Sequence, residues 1–178
     1  MIGLLQRVTE ASVEIDGNRI TGIGPGLLVL VCAERGDSEA EAERLLERIL
    51  KQRIFSDVIG KMNLNLRDVG GELLLVPQFT LAADTSRGSR PGFSRAAAAS
   101  ESVRLFDHLL ARAGASHSPV AGGRFGAHMR VSLINDGPVT LWLQVSAPLA
   151  RKLSCRQSSK RMFTKPQPGT PSRPASGA

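Results

Sequence analysis

A chain of 178 residues has room for one hydrophobic core of ordinary size and little more, so a single active or binding region is expected. The longest apolar run, Gly26 to Ala33, is far short of the roughly 20 residues of a membrane span, which excludes a membrane-embedded role by helix. The formal charge of +7 is unevenly spread: residues 1–145 carry 16 Lys and Arg against 16 Asp and Glu, and residues 146–178 carry seven basic residues and no acid.

The N-terminal segment Ile2 to Val8 alternates in polarity and continues at Val13 to Ile15, the pattern of a strand. It lacks the basic start, long apolar stretch and small-residue cleavage site of a secretory leader, so a cytoplasmic location is expected. Asp16-Gly17 and Gly24-Pro25-Gly26 are turn signals that separate this pattern from a further strand at the continuous apolar run Leu27 to Val31. A helix is predicted from Asp37 or Ser38, with Leu45, Leu46, Ile49 and Leu50 on one face. Strands are predicted at Glu72 to Val76 and at Phe79 to Ala82. A second helix is predicted from near Ser100, burying Val103, Phe106 and Leu110 and stopping at Gly114. Two last strands, Met129 to Asn135 and Val139 to Val145, flank Asp136-Gly137, a common hairpin signal.

These elements make a mixed α/β fold, with a largely antiparallel sheet or partial barrel and two main helices. The domain is expected to end near Val145. Residues 146–178 hold five of the ten prolines and few large apolar residues, so they read as a basic Pro/Ser-rich extension without a core of its own. Such an extension is either a solvated tail or an arm attracted to nucleic acid phosphates.

Familiar catalytic patterns are missing. There is no Gly-x-Ser-x-Gly elbow, no His-Glu-x-x-His helix and no phosphate loop ending in Gly-Lys-Ser/Thr. His108, His117 and His128 lack metal-ligand spacing, and Cys32 in the apolar run reads as a small buried hydrophobe. No metal or cofactor is expected.

Three stretches remain: "PQFTLAADT" at Pro77 to Thr85, "RGSRPGF" at Arg87 to Phe93, and "NDGPVT" at Asn135 to Thr140. With the opening "MIGLLQRV", "QRIFSD", "GKMNLN" and "VSLINDGPVTLWLQV", their order and separation from Met1 to Val145 resemble the D-aminoacyl-tRNA deacylase family. The resemblance implies an ester hydrolase that frees tRNA from a D-amino acid, and from glycine mischarged on tRNA(Ala), working as a homodimer with a cross-subunit active site. It implies that Gly137 and Pro138 form a cis chirality gate, inserted into the partner's pocket, that bars L-amino acids. It also implies that Gln78, Phe79 and Thr80 carry the catalytic motif.

The family motif begins with Ser where this chain has Pro77, which offers neither a hydroxyl nor an N–H. Backbone N–H groups around Gln78 and Phe79 are the expected oxyanion stabilisers. Thr80 lacks a neighbouring base in sequence, which favours attack by water over a covalent route. Phe79 and Met129 are expected beside the terminal adenine, Pro77 in the substrate pocket, and Arg87 and Arg90 against acceptor-stem phosphates. The expected partner is thus the 3′ end of an aminoacyl-tRNA, with neither DNA nor membrane. Two alternatives stay open: a noncatalytic RNA-binding protein that uses the basic tail, and an editing module of different amino-acid specificity.

Overall fold

The computed structural model describes residues 1–86 and 88–146. Arg87, Cys155 and all of the basic extension beyond Ser146 lie outside the described residues. In chain order the elements are β1 (Ile2–Ile15), β2 (Asn18–Ile23), β3 (Gly26–Cys32), α1 (Glu39–Lys51), β4 (Phe55–Ser56), β5 (Met62–Leu64) and β6 (Glu72–Pro77). A 3₁₀ turn at Phe79–Ala82, α2 (Ala99–Ser116), β7 (Val120–Gly122) and β8 (Met129–Gln144) follow.

The main sheet runs β2-β1-β3-β6-β7, with β8 on the other side of β1. The pairings of β1 with β2, β3 and β8 are antiparallel, whereas β3-β6 and β6-β7 are parallel. Each parallel step needs a crossover, and the two helices supply them: α1 lies between β3 and β6 in the chain, α2 between β6 and β7. β2 comes round to touch β6 and β7, so the sheet is nearly closed and barrel-like. The mixed fold with two helices is as the sequence predicts.

Alternation along β3 divides the interior. Leu27, Val29 and Val31 face the helices and pack with Leu45, Ile49, Leu105 and Leu109. Leu28 packs on the opposite face with Val13, Ile23, Leu74 and Val76. Because β3 is covered on both faces it reads as a continuous apolar run rather than an alternating one. The glycine that opens it has a steric reason: a Cβ on Gly26 would stand 2.0 Å from the Glu72 carbonyl oxygen, so only glycine lets β6 lie this close.

Helix α1 forms as its sequence directs. Ser38 is the N-cap, its N–H donates to Glu41 Oε2 at 2.8 Å, and its hydroxyl reaches the same carboxylate. These Ser38 hydrogen bonds lead in holding the Glu41 carboxyl below its ordinary pKa, with Arg44 assisting against the opposing effect of burial.

Five expectations are corrected. Ile2 to Val8 and Val13 to Ile15 are parts of one strand. Phe79 to Ala82 is a 3₁₀ turn, because β6 ends at Pro77 and the chain must leave the sheet there. α2 buries Ser102, Leu105, Phe106, Leu109 and Ala113 and leaves Val103 37% exposed and Leu110 half-buried, since the small Ser102 and Ala113 belong to the true inner stripe. The helix also continues past Gly114, which does not adopt a positive φ, to Ser116.

The last correction concerns β8, which is one strand rather than two. Val8 pairs with Asn135 and Gln6 with Thr140, so Asp136 to Val139 leave the ladder as a four-residue excursion while both arms stay on β1. The Asp136-Gly137 pair therefore marks a bulge-like detour and not a hairpin.

Candidate functional site

A cleft of about 280 Å³ opens where β6 ends, lined by Pro77, Gln78, Phe79, Phe125, His128 and Met129 among others. Pro77 is the last residue of β6, two positions beyond the Leu75 pairing with Gly122, where β7 has already ended. Its missing N–H therefore removes no ladder bond. One residue on, Gln78 N–H donates to the Val31 carbonyl at 2.7 Å and ties the turn to β3. That bond uses up the Gln78 amide, so of the two backbone N–H groups expected to stabilise an oxyanion, the one on Gln78 is withdrawn.

The N–H groups of Phe79 and Thr80 are the orphan donors at the start of the 3₁₀ turn, with no backbone acceptor among the described residues. The Gln78 side-chain amide donates to Thr80 Oγ1. An amide cannot accept the proton a nucleophilic hydroxyl must lose, so this partner leaves Thr80 unactivated.

Phe79 is 47% exposed, and its ring meets Phe93 edge-on with centroids 5.1 Å apart. Phe93 belongs to the arginine loop, whose neck is closed by reciprocal backbone bonds between Asp84 and Gly92 at 2.7 and 2.8 Å. The loop is thus pinned beside the Phe79 turn, with Arg90 exposed on it. Behind the turn, the Cys32 thiol donates to the Phe79 carbonyl at 3.4 Å. Burial is the main cause that raises the Cys32 pKa to about 11, so this sulfur is a structural donor and no nucleophile.

The Gly137-Pro138 peptide is cis. Both residues are exposed, and neither lines the cleft of its own chain. Arg7 reaches across from β1: its Nε donates to the Asp136 carbonyl at 3.1 Å and pairs with the Asp136 carboxylate at 3.0 Å, and its Nη1 donates to the Ile54 carbonyl at 2.5 Å. Asn135 closes the excursion from the other side. Its Oδ1 accepts the Val139 N–H at 2.9 Å, and its Nδ2 donates to the Val139 carbonyl and to Thr140 Oγ1, each at 3.2 Å. Gly137 has φ +126°, and a Cβ there would lie 2.8 Å from Arg7 Nη2.

The structure places Pro77, Gln78, Phe79 and Met129 in the lining of one cleft, and Thr80 is bonded to the Gln78 side chain. Sequence reasoning missed Phe125 and His128, which enter from the β7–β8 connection, and Arg7 and Asn135, which hold the excursion. Among the described residues, no cluster of His, Cys, Asp or Glu is arranged to hold a metal ion, and no helix is long and apolar enough to cross a membrane.

Residues 4–144 match the family model described as D-Tyr-tRNA(Tyr) deacylase. A protein described as D-aminoacyl-tRNA deacylase from Paracidovorax citrulli (strain AAC00-1) is 62% identical over 148 residues, covering 83% of this chain and 96% of that one. A second of the same description, from Thioalkalivibrio sulfidiphilus (strain HL-EbGR7), is 60% identical over 83% of this chain and 99% of its own. Among solved structures, the c-Myc DNA Unwinding Element Binding Protein is 35% identical, with a TM-score of 0.79 over 83% of this chain and all of that one. A probable eukaryotic D-amino acid tRNA deacylase shares the fold at 16% identity, with a TM-score of 0.69 over 81% of this chain and 98% of that one. By the family model and by these identities, the chain belongs to the D-Tyr-tRNA(Tyr) deacylase family.

Proposed function

We propose that this chain hydrolyses the ester between a D-amino acid and the 3′-terminal adenosine of tRNA, in the cleft at the end of β6. Deacylation of D-aminoacyl-tRNA follows from membership of the family at about 60% identity. The observation that carries the chemistry is the pair of orphan N–H groups on Phe79 and Thr80 beside the cleft. Charge that develops on the ester carbonyl oxygen is held by these two donors, which are fixed before substrate arrives. Water attacks, assisted by the neighbouring ribose 2′-hydroxyl, because the one side chain bonded to Thr80 Oγ1 among the described residues is a non-basic amide. Phe79, Phe125 and Met129 supply the apolar surface for the adenine, and Arg90, with Arg87, meets the phosphates of the acceptor stem.

Selectivity is by rejection. Gly137 and Pro138 of a second subunit close the cleft, so that main-chain oxygens crowd the position of an L side chain. Two features support this arrangement. The excursion is exposed and does not line its own cleft, and one chain encloses about 280 Å³, slightly below the usual range of about 300–1,000 Å³ for ligand sites. The protein is then a homodimer whose sites are completed across the interface. Glycine, which has no side chain to collide, is also accepted.

A panel of matched D-, L- and glycyl-tRNA esters, with purified protein, tests the reading. Cleavage of D- and glycyl-esters with L-esters intact is expected, and survival of glycyl-tRNA under conditions that cleave D-tyrosyl-tRNA overturns the steric gate. Thr80→Ala is expected to keep activity within about tenfold, whereas a trapped acyl-Thr80 intermediate overturns the water route. Removal of residues 147–178 leaves deacylation in place. Its loss on truncation favours a tail-driven RNA binder instead.

A further inference from the structure

Beside the cleft lies a second concavity of about 460 Å³, between α2 and the connection from β7 to β8. On the α2 side Val103, Phe106, Asp107 and Leu110 line it, at spacings of three and four residues that put them on one helical stripe. Arg124 and Phe125 form the opposite wall, and Phe125 also lines the cleft. The two concavities therefore share a wall. Close packing places it there: a Cβ on Gly122 would meet Leu110 Cδ2 at 2.7 Å and one on Gly123 would meet Met129 Sδ at 3.0 Å, so a larger residue at either position would push on these side chains where the chain passes between α2 and the cleft.

The polar groups of this groove are unspent. Asp107 and Arg124 are exposed and neither side chain is in an ion pair among the described residues, while Val103, 37% exposed, leaves apolar surface on the floor. An apolar floor, one carboxylate and one guanidinium on the rim match a base with an exocyclic amine joined to a phosphate. We propose that this groove is the subsite for the nucleotide that precedes the terminal adenosine, and that it prefers cytidine. The inference rests on the placement of the adenosine in the neighbouring cleft.

The continuity of the two concavities through Phe125 is what selects a nucleotide as occupant. A single-stranded end whose last base lies in the cleft must carry its next residue over that wall, and the groove is what it meets. The Asp107 carboxylate accepts a hydrogen bond from the cytosine N4 amine, whereas the O4 of uracil at the same place would face it with like partial charge. Arg124 lies where the linking phosphate crosses and neutralises it without regard to the base. Every tRNA ends in C-C-A, so a cytidine subsite serves all substrates and leaves the discrimination of amino acids to the cleft.

The test uses the full chain and three D-tyrosyl esters, of adenosine, of the dinucleotide CpA and of UpA, each compared by kcat/KM. The expected result is that the CpA ester exceeds the adenosine ester at least about tenfold and the UpA ester by about fivefold or more. Asp107→Ala should bring the CpA to UpA ratio to about one. Arg124→Ala should reduce both dinucleotides relative to adenosine and leave their ratio in place. Equal rates on the three esters, or a CpA to UpA ratio that Asp107→Ala does not change, overturn the subsite. These ratios are internal to one preparation, so partial loss of folding does not mimic them. If the adenosine ester is cleaved with D over L preference yet CpA brings no gain, only the subsite fails. If no ester is cleaved with that preference, the functional reading itself fails.

Discussion

The 3₁₀ turn at Phe79–Ala82 and the excursion at Asp136–Val139 both interrupt regular strand structure, yet they are held by different means. The turn is fixed largely through the main chain, by Gln78 N–H on the Val31 carbonyl, and backed by the buried Cys32 thiol. The excursion is fixed by two side chains, Arg7 and Asn135, and is otherwise exposed. A backbone-anchored element tolerates substitution of its own side chains, because the bonds that hold it survive the change. A side-chain-anchored element depends on single residues, here Arg7 far away in sequence and Asn135 beside it. The first arrangement suits a fixed set of donors for a developing charge, and the second suits a projecting segment that has to fit another surface.

Substitutions should separate the two regions, and the largest effect is expected at Gly137. In Gly137→Ala the new methyl meets Arg7 and the positive φ is strained by about 1–3 kcal/mol, so the excursion shifts. We expect kcat/KM on D-aminoacyl-tRNA to fall by roughly 5–150-fold with little change in the far-UV spectrum; an unaltered kcat/KM would show that the shape of the excursion is irrelevant to turnover. Next comes Arg7→Lys, which keeps the charge but cannot bond Asp136 and the Ile54 carbonyl together through a planar fork. The ratio of D- to L-ester hydrolysis should drop about tenfold. A ratio that stays constant would mean that Asn135 alone suffices.

The smallest effect concerns neither region and serves as the control. Because Ser38 holds the folded-state carboxyl of Glu41 below its ordinary value of 4.5, the ionised form is favoured in the folded protein. Its contribution to stability is complete above about pH 4.5 and is lost as pH falls through the lowered folded-state value. Glu41→Gln should therefore flatten the acid limb of a denaturant-midpoint profile while the D to L ratio at neutral pH stays as it was. A change in that ratio would tie α1 to the site.

What the sequence made legible was what local pattern governs. The apolar face of α1, the glycines around Pro25 and the continuous run of β3 follow from spacing and turn chemistry, and they are found where expected. The Phe79 segment was misread because Phe-Thr-Leu has the composition of a strand, whereas the end of β6 at Pro77 decides its shape. Val103 was misread for the converse reason, since two small residues occupy the inner stripe of α2 and displaced the larger apolar ones from it in the pattern. Pro77 to Phe79 of the motif, and Met129, expected beside the adenine, line one cleft. Phe125 and His128 were not found from the sequence, because they reach the cleft only through the sheet order that lays β7 against β6. Arg7 was out of reach for a similar reason, its partner being on a strand at the far end of the chain.

The two arms of β8 give the detour between them an unusual mechanical status. A hairpin tip can fray from its open end, but Asp136 to Val139 hang like a short span between two piers, each nailed to β1. The span has few shapes to lose, so under the proposed insertion into a second subunit the entropic toll of association at this point would be correspondingly light.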